Sequence, residues 1–468
     1  MAKHLLSKST YIKSLQCQKA LYLHKKRPFL RDKMSAVQLA KFRRGTAVGV
    51  LARNLYPGGI DMTPKSPSQY QSKRNETLLA LQNPEITAIY EAVFQYDDVL
   101  IMLDILAREG DKWRAIEVKS SRGLSETYLQ DAYLQYYVLN GNGIPLVDFE
   151  LIYVNEDYIL KDKLILDELF ISQSVLVQAK EAFEKTASQI QKAKATLQLT
   201  KSPEVSIGTH CYKPYPCDFI GHCWKNVPQN SLLYLSSQPF LQRFDWFNNN
   251  IRLPEQLHNA ELADQLMALN EQKLFVNHNL LMKNLKNFDM AKPTYLKFLF
   301  HQAAVPELRG MKPYEPIILA VSAFQPSNTV QQIHHWSCAV EISEWKNIFQ
   351  FLNTLWKSSS VFIIHEDRIF DEFLKKTNEI HPEIKWINYA VLLSESDFMI
   401  PSISENPDQK LIQQHIFPNQ KPLKDEAWLL KDLLDDPEKN SRKINFQLEL
   451  YSKNLEEIHK YLISSNEI

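Results

Sequence analysis

Apolar residues recur at helical spacing from the start of the chain. Tyr11, Ile12, Leu15, Tyr22 and Leu23 fall on one side of a helix predicted over residues 9–25, with Ser9 as its N-cap and Cys17 inside it. Residues 36–55 read as a second helix that closes at the turn Tyr56-Pro57-Gly58-Gly59. Around residues 88–119 the period changes to two. VLIMLDILA and WRAIEVKSS are predicted strands joined by REGDK, a hairpin signal. Helix returns over 126–139, LVDFELIYVN reads as another strand, and a polar helix is predicted over 168–200.

Beyond residue 230 the pattern shifts. Residues 231–290 are mostly helical and read as a connector. From 291 strands and helices alternate: YEPIILAVSAF, SEWKNIFQFLNTLW, SSVFIIHE and DRIFDEFLKK predict a separate α/β domain over 291–468. A chain of 468 residues is too long for one core, so a division of this kind is expected.

Composition adds less than charge placement. No segment approaches the ~20 apolar residues that span a bilayer, and the N-terminus has no signal-peptide run, so a cytoplasmic protein is expected. In a reducing compartment, clustered cysteines read as metal ligands before disulfides. The formal net charge is zero, which excludes a wholly basic nucleic-acid coat protein. Residues 1–44 nevertheless hold twelve Lys and Arg against a single acid, Asp32. Such a stretch suits phosphate recognition, or else is a solvated helix face. The sequence lacks GxxxxGK[ST], which argues against a P-loop motor.

Within the hairpin, Gly110-Asp111 fits a two-residue turn with Gly at positive φ. Pairing Glu109 with Lys112 then sets Asp104 opposite Glu117, and Lys119 shares the face of Glu117. Two carboxylates on an apolar hairpin repel each other, and a divalent cation resolves the conflict. A lysine beside them can orient the attacking water or stabilise an oxyanion. An exposed hairpin face with a salt bridge would look the same locally. Glu91, in IYEAVF, is either a further site carboxylate or a surface strand residue.

Residues 98–139, DVLIMLDILAREGDKWRAIEVKSSRGLSETYLQDAYLQYYVL, resemble the core of the PD-(D/E)XK nuclease superfamily in its RecB-like branch. The resemblance implies a restriction-endonuclease-like α/β fold and a Mg²⁺- or Mn²⁺-dependent DNA nuclease. Asp104, Glu117 and the Val118 carbonyl would bind metal, and Lys119 would assist catalysis. Gln135, with Asp131 four residues before it and Tyr136 and Tyr137 after it, would contribute from the next helix. A GxxxH motif common in this branch has no match, because Gly45-Thr-Ala-Val-Gly49 lacks the histidine. That departure puts a two-metal site in doubt. DNA, single-stranded or end-bearing, is the implied partner, reached through Lys19, Lys25, Lys26, Arg27, Arg43 and Arg44. Repair or defence against foreign DNA is the implied role. The competing class is an inactive nucleic-acid-binding or scaffold protein with this fold.

CYKPYPCDFIGHC places Cys211, Cys217 and Cys223 at even spacing. Members of the same branch, including CRISPR adaptation and AddB-type nucleases, hold a [4Fe–4S] cluster with one early cysteine and three late ones. The resemblance makes Cys17 the fourth ligand. Zinc is the rival, with His210 or His222 completing a Cys₃His set, although its ligands usually come as C-x₂₋₄-C. Cys338 reads as a buried thiol, and His334 and His335 as strand residues.

SKSTYIKSLQCQKALYL, LARNLYPGG, LIYVNEDY and the cysteine segment also resemble a bacterial family that joins such a nuclease domain to an RNase H-like exonuclease domain of the DEDD type. On the strand Tyr295–Phe300, Lys297 and Leu299 stand where that type has its metal-binding carboxylates. A protonated lysine and a leucine cannot ligate Mg²⁺, so this domain is expected to lack exonuclease chemistry. His365-Glu366-Asp367-Arg368 reads as a loop leading into a helix rather than a carboxylate site.

Overall fold

A computed structural model describes residues 4–327, 330–366, 370–371, 373–375, 382–404 and 408–464. The chain is a mixed α/β protein with two mixed sheets and forms two compact units, residues 1–225 with 303–315, and 226–302 with 316–468. Among the described residues no helix is long and apolar enough to cross a membrane.

In the first unit the strands are β1 (Leu6–Ser7), β2 (Ile60–Asp61), β3 (Ala88–Tyr96), β4 (Val99–Glu109), β5 (Lys112–Lys119), β6 (Leu146–Val154) and β7 (Phe170–Ser174). They form one sheet in the order β2-β3-β4-β5-β6-β7, with β1 added against β4. The hairpin register is the one its turn requires: Gly110 sits at φ 61° and Glu109 pairs with Lys112. At the opposite end of β4, Asp97 and Asp98 both adopt positive φ, as a tight two-residue turn demands. Lys194 Nζ binds Asp97 there at 2.5 Å.

One edge of β4 changes partner along its length. It pairs with β5 from Ile105 to Glu109, and in parallel with β1 at Val99 and Leu100. The sheet therefore forks at Asp104 and Glu117. The alternation of faces also slips at this level. Ile89, Ala92 and Phe94 of β3 share one core, and so do Ile101, Leu103 and Leu106 of β4, giving a spacing of three in each strand. Glu91 lies inside the first gap at φ 52°, and Asp104 inside the second.

The helices are α1 (Lys8–Gln16), α2 (Gln18–Lys26), α3 (Ala36–Ala52), α4 (Tyr70–Gln82), α5 (Glu126–Gly141), α6 (Leu166–Leu169), α7 (Leu176–Glu181) and α8 (Phe183–Gln198). The core on the α5 side gathers Tyr11 of α1, Leu134 and Val138 of α5 and Ile190 of α8. Val48 and Ala52 of α3 cover the other face over Ile105, Ile116 and Ile152.

Two predicted helices need correction. The one over 9–25 is two helices, because Cys17 takes an extended conformation (φ −162°, ψ 121°), and the N-cap position is Ser7 rather than Ser9. The one over 168–200 contains β7 as well as α7 and α8. Strand β7 lies at the sheet edge, where its exposed polar residues imitate a helix face.

In the second unit β8 (Pro293–His301), β9 (Ile317–Gln325), β10 (Gln332–Ser337), β11 (Val361–Ile364) and β12 (Trp386–Asn388) pair in the order β10-β9-β8-β11-β12. The first three strands are antiparallel neighbours and the last two join in parallel. The C-terminal helix Pro437–Ser464 packs on β8 and β9. Short helices at Phe240–Asn248, Ala263–Asn270 and His278–Leu285 belong to this unit. Cys338 is buried there with its thiol on the Ile318 carbonyl at 3.3 Å.

His459 of the C-terminal helix is buried against Tyr389 and Tyr295. Burial lowers its pKa to about 4. The unfolded chain therefore takes up this proton first as pH falls, so the stability contribution is complete above pH ~6.5 and is lost towards pH 4. Denaturant titrations at pH 7 and pH 5 should show a loss of about 2 kcal/mol from this group in wild type. His459→Phe should remove that part of the slope. An identical slope in the variant would contradict the assignment.

Candidate active site

The fork in the sheet brings together side chains from β2, β3, β4, β5, α1 and α5. Asp104 of β4 accepts the Val118 N–H at 2.7 Å, standing where a backbone pair would otherwise continue. Glu117 of β5 is 2% exposed and receives Lys119 Nζ at 2.6 Å, Lys8 Nζ at 2.7 Å and Gln135 Nε2 at 2.9 Å. Lys119 also reaches Asp131 Oδ2 of α5 at 2.5 Å and lies over the Tyr128 ring at 5.1 Å. Glu91 of β3, level with Asp104, is held by Arg53 at 3.4 Å, and Arg53 also binds Asp61 at 2.9 Å.

Asp104, Glu117, Lys119 and Gln135 are thus brought to one point, with Asp131 among them. Tyr136 and Tyr137 are not: the first packs against Phe183, and the second donates to Asp97 at 3.0 Å. Lys8 was legible only as part of the basic stretch. Its position follows from β1, which is too short to show a period of two. Tyr128 had no sequence signal beyond its place on α5.

Charge is crowded in this site. Asp61, Glu91, Asp104, Glu117 and Asp131 face Lys8, Arg53 and Lys119, so five carboxyl groups share three cations. Burial, and then the charge of Glu117, push Asp104 up to about 8. Burial acts on Glu117 in the same direction, but Lys119 and Lys8 outweigh it and hold that carboxylate far below its ordinary range. Burial would lower Lys119, yet Asp131 and Glu117 keep it firmly protonated. Asp131 Oδ1 and Gln135 Oε1 are buried and have no protein partner.

Among the described residues no three His, Cys, Asp or Glu side chains close around a single metal ion. Mg²⁺ needs about two carboxylates, with waters and a substrate phosphate completing its shell. Asp104 and Glu117, with the two orphaned oxygens beside them, are a donor set of that kind.

The cysteines of the two ends of the unit line one cavity. Cys17, Cys211, Cys217 and Cys223 line a small cavity of about 20 Å³ together with His210 and Lys19. The local structure holds them there. Gln16 Nε2 donates to the carbonyls of His210 at 2.8 Å and Tyr215 at 2.7 Å. Asp218 binds Lys13 at 2.8 Å and Arg31 at 3.0 Å, and Gly221 N–H reaches Asp32 at 3.0 Å. Phe219 packs, fully buried, against Ala20, Tyr22 and Leu23. Burial raises the thiols of Cys17 and Cys223, and that of Cys217 to about 11. Zinc and an iron–sulfur cluster both draw on such thiols, and among the described residues no three of them close around a single metal ion. His222 is not among the residues lining the cavity.

The basic stretch divides in use. Lys8 and Lys13 are engaged in ion pairs, Lys19 lies at the cysteine cavity, and Arg44 stacks on Tyr314 at 5.4 Å. Lys25, Lys26, Arg27 and Arg43 are exposed.

In the second unit Lys297 of β8 is 2% exposed and meets Glu366 at 2.9 Å and Glu426 at 2.8 Å. Glu366 lies in a loop, as expected, and is buried there as the partner of Lys297, while Asp367 and Arg368 lie outside the described residues. The buried Lys297 ammonium thus lies between two carboxylates. Lys297→Met, which leaves Glu366 buried without its cation, should destabilise this unit by roughly 3–5 kcal/mol, and Glu366→Gln in the same chain should restore much of it. Chemical denaturation of both variants checks this; an unchanged midpoint for Lys297→Met would refute it.

No protein-family model matches the chain, and no curated protein matches it either.

Proposed function

We propose that residues 1–225 form a Mg²⁺- or Mn²⁺-dependent nuclease that hydrolyses phosphodiester bonds in DNA. The observation that carries this reading is the convergence of Asp104, Glu117 and Lys119 at the fork in the sheet, with Gln135 and Asp131 behind them. A divalent cation held by Asp104, Glu117 and the Val118 carbonyl would supply an activated water and neutralise phosphate charge.

The chain's own residues do the rest. Gln135 and Lys8 fix the Glu117 carboxylate through its two oxygens. Lys119, kept protonated by Asp131 and Glu117, acts as a donor to charge developing on the phosphoryl oxygens rather than as a base. Lys25, Lys26, Arg27 and Arg43 offer positive charge to the DNA backbone. A [4Fe–4S] cluster on Cys17, Cys211, Cys217 and Cys223 would tie the two ends of the domain together. The second unit, a three-strand meander extended by two parallel strands, is compatible with a degenerate RNase H-like module that binds DNA or a protein. DNA repair or defence in the cytoplasm is the role this reading implies.

A second reading has one observation in its favour: Lys8 and Lys119 already neutralise Glu117. A protein that binds DNA without cutting it would need no metal to displace them. Incubating wild-type protein with end-labelled single-stranded DNA, with Mn²⁺ or with EDTA, separates the two. Mn²⁺-dependent shortening supports the nuclease, and binding without shortening in either condition supports the scaffold.

A further inference from the structure

We infer that Arg44 and Arg122, seated on the ring of Tyr314, form a clamp for the sugar–phosphate backbone of a single DNA strand beside Lys119. This rests on the nuclease reading above and adds to it the surface that would hold the substrate.

The segment that carries Tyr314 is firmly mounted. Residues 303–315 interrupt the second unit between β8 and β9 and belong to the first. Gly310 N–H donates to the Leu160 carbonyl at 2.7 Å, and Leu160 N–H to that of Met311 at 3.0 Å. Ala304 and Val305 pack with Ile105 and Ile116 in one core. Tyr314 N–H closes the segment on the Ala303 carbonyl at 2.8 Å, and its φ of 61° is a conformation that bulky side chains seldom take. Strain of that kind persists where surrounding contacts enforce it, and it gathers at ligand clamps.

What the strained residue carries is positive charge. The Arg44 guanidinium lies 5.4 Å from the centre of the Tyr314 ring, and that of Arg122 5.7 Å. The Tyr314 hydroxyl is bonded to Arg44 and to Ser120, the residue after Lys119. Lys119 in turn lies over Tyr128 at 5.1 Å. Cations and rings thus alternate from α3 to the fork, the combination that holds single strands.

Carboxylates do not account for the two arginines. Arg122 reaches Glu156 at 3.8 Å with both side chains more than half exposed, a contact worth little. Among the described residues Arg44 forms no ion pair. Two guanidiniums converging on one ring repel each other, and an anion between them turns that cost into attraction. Their forked donors match phosphate oxygens.

The test is binding of a fluorescein-labelled oligo-dT strand in EDTA, read by anisotropy over a range of salt. Wild type is compared with Arg44→Gln, Arg122→Gln, and Lys112→Gln at the far end of β5. Each arginine variant should bind at least about fivefold more weakly and lower the slope of log affinity against log salt by about 0.7. Lys112→Gln should keep the wild-type slope. Arg122 is more than half exposed, so its variant stays folded and decides the matter alone if Arg44→Gln unfolds. Wild-type affinity in Arg122→Gln, or an equal loss in Lys112→Gln, overturns the clamp, and Mn²⁺-dependent cleavage by wild type then leaves the nuclease reading standing. Binding that needs both arginines, without cleavage in Mn²⁺, keeps the clamp and overturns the nuclease. Wild-type protein that binds no strand overturns the clamp.

Discussion

Asp104→Asn is expected to reduce DNA cleavage by about 10³-fold while leaving the metal-free protein as stable as wild type or more so. The loss follows from removing a carboxylate from the point where a cation and the scissile phosphate would meet. The retained stability follows from the electrostatics. Burial and the Glu117 charge push Asp104 up to about 8, so without metal it is mostly protonated at pH 7. Asparagine copies that neutral form, and its side-chain oxygen can still accept the Val118 N–H. Because the folded pKa lies above the unfolded value, the stability linked to this group is present in acid and lost as pH rises through about 8. Metal-free wild type should therefore weaken between pH 7 and 9, and Asp104→Asn should weaken less. Melting curves at both pH values, beside cleavage rates, check the pair of signs. A variant that is both unstable and inactive would mean that Asp104 is structural.

Cys217→Ser is expected to remove the iron and sulfide of protein purified without oxygen, together with a broad absorbance near ~400 nm. Cys17→Ser should do the same, although it lies almost two hundred residues away, because both sulfurs line one cavity. Cys338→Ser should change nothing, since that thiol is buried in the other unit. The melting temperature of the first unit should fall with the cluster, because ligation stabilises only the folded state. Collapse need not be complete: Gln16, Asp218, Asp32 and Phe219 still fasten the late segment to the early helices. Colourless wild-type protein carrying one zinc ion would overturn the cluster.

The hairpin was legible because a two-residue turn with glycine leaves one register, and that register alone brings Asp104 to Glu117. Gln135 and Asp131 were pointed to by the resemblance to the nuclease core, and helical spacing only sets the two on one face. Lys8 was hidden because a two-residue strand carries no pattern, yet β1 fills the fork and delivers the lysine to Glu117. The break at Cys17 was hidden because apolar spacing continues across it. What ends α1 there is a tertiary demand: the cysteine faces a cavity shared with the late segment. The positive φ of Glu91 leaves no trace in composition, and the run of apolar residues through β4 hides the slip in its pleat. The burial of Glu366 was hidden because its partner, Lys297, is sixty-nine positions earlier, on β8.

The central claim is metal-dependent hydrolysis at the fork, and cleavage of labelled single-stranded DNA by wild type and Lys119→Ala, with and without Mn²⁺, tests it most directly. Lys8 still meets Glu117 at 2.7 Å and lies 3.7 Å from Asp131, so the variant should stay folded. The account predicts shortening of the DNA by wild type with Mn²⁺ alone, and a rate at least about 10²-fold lower for Lys119→Ala. Equal cleavage by both proteins, or none by either, would contradict it.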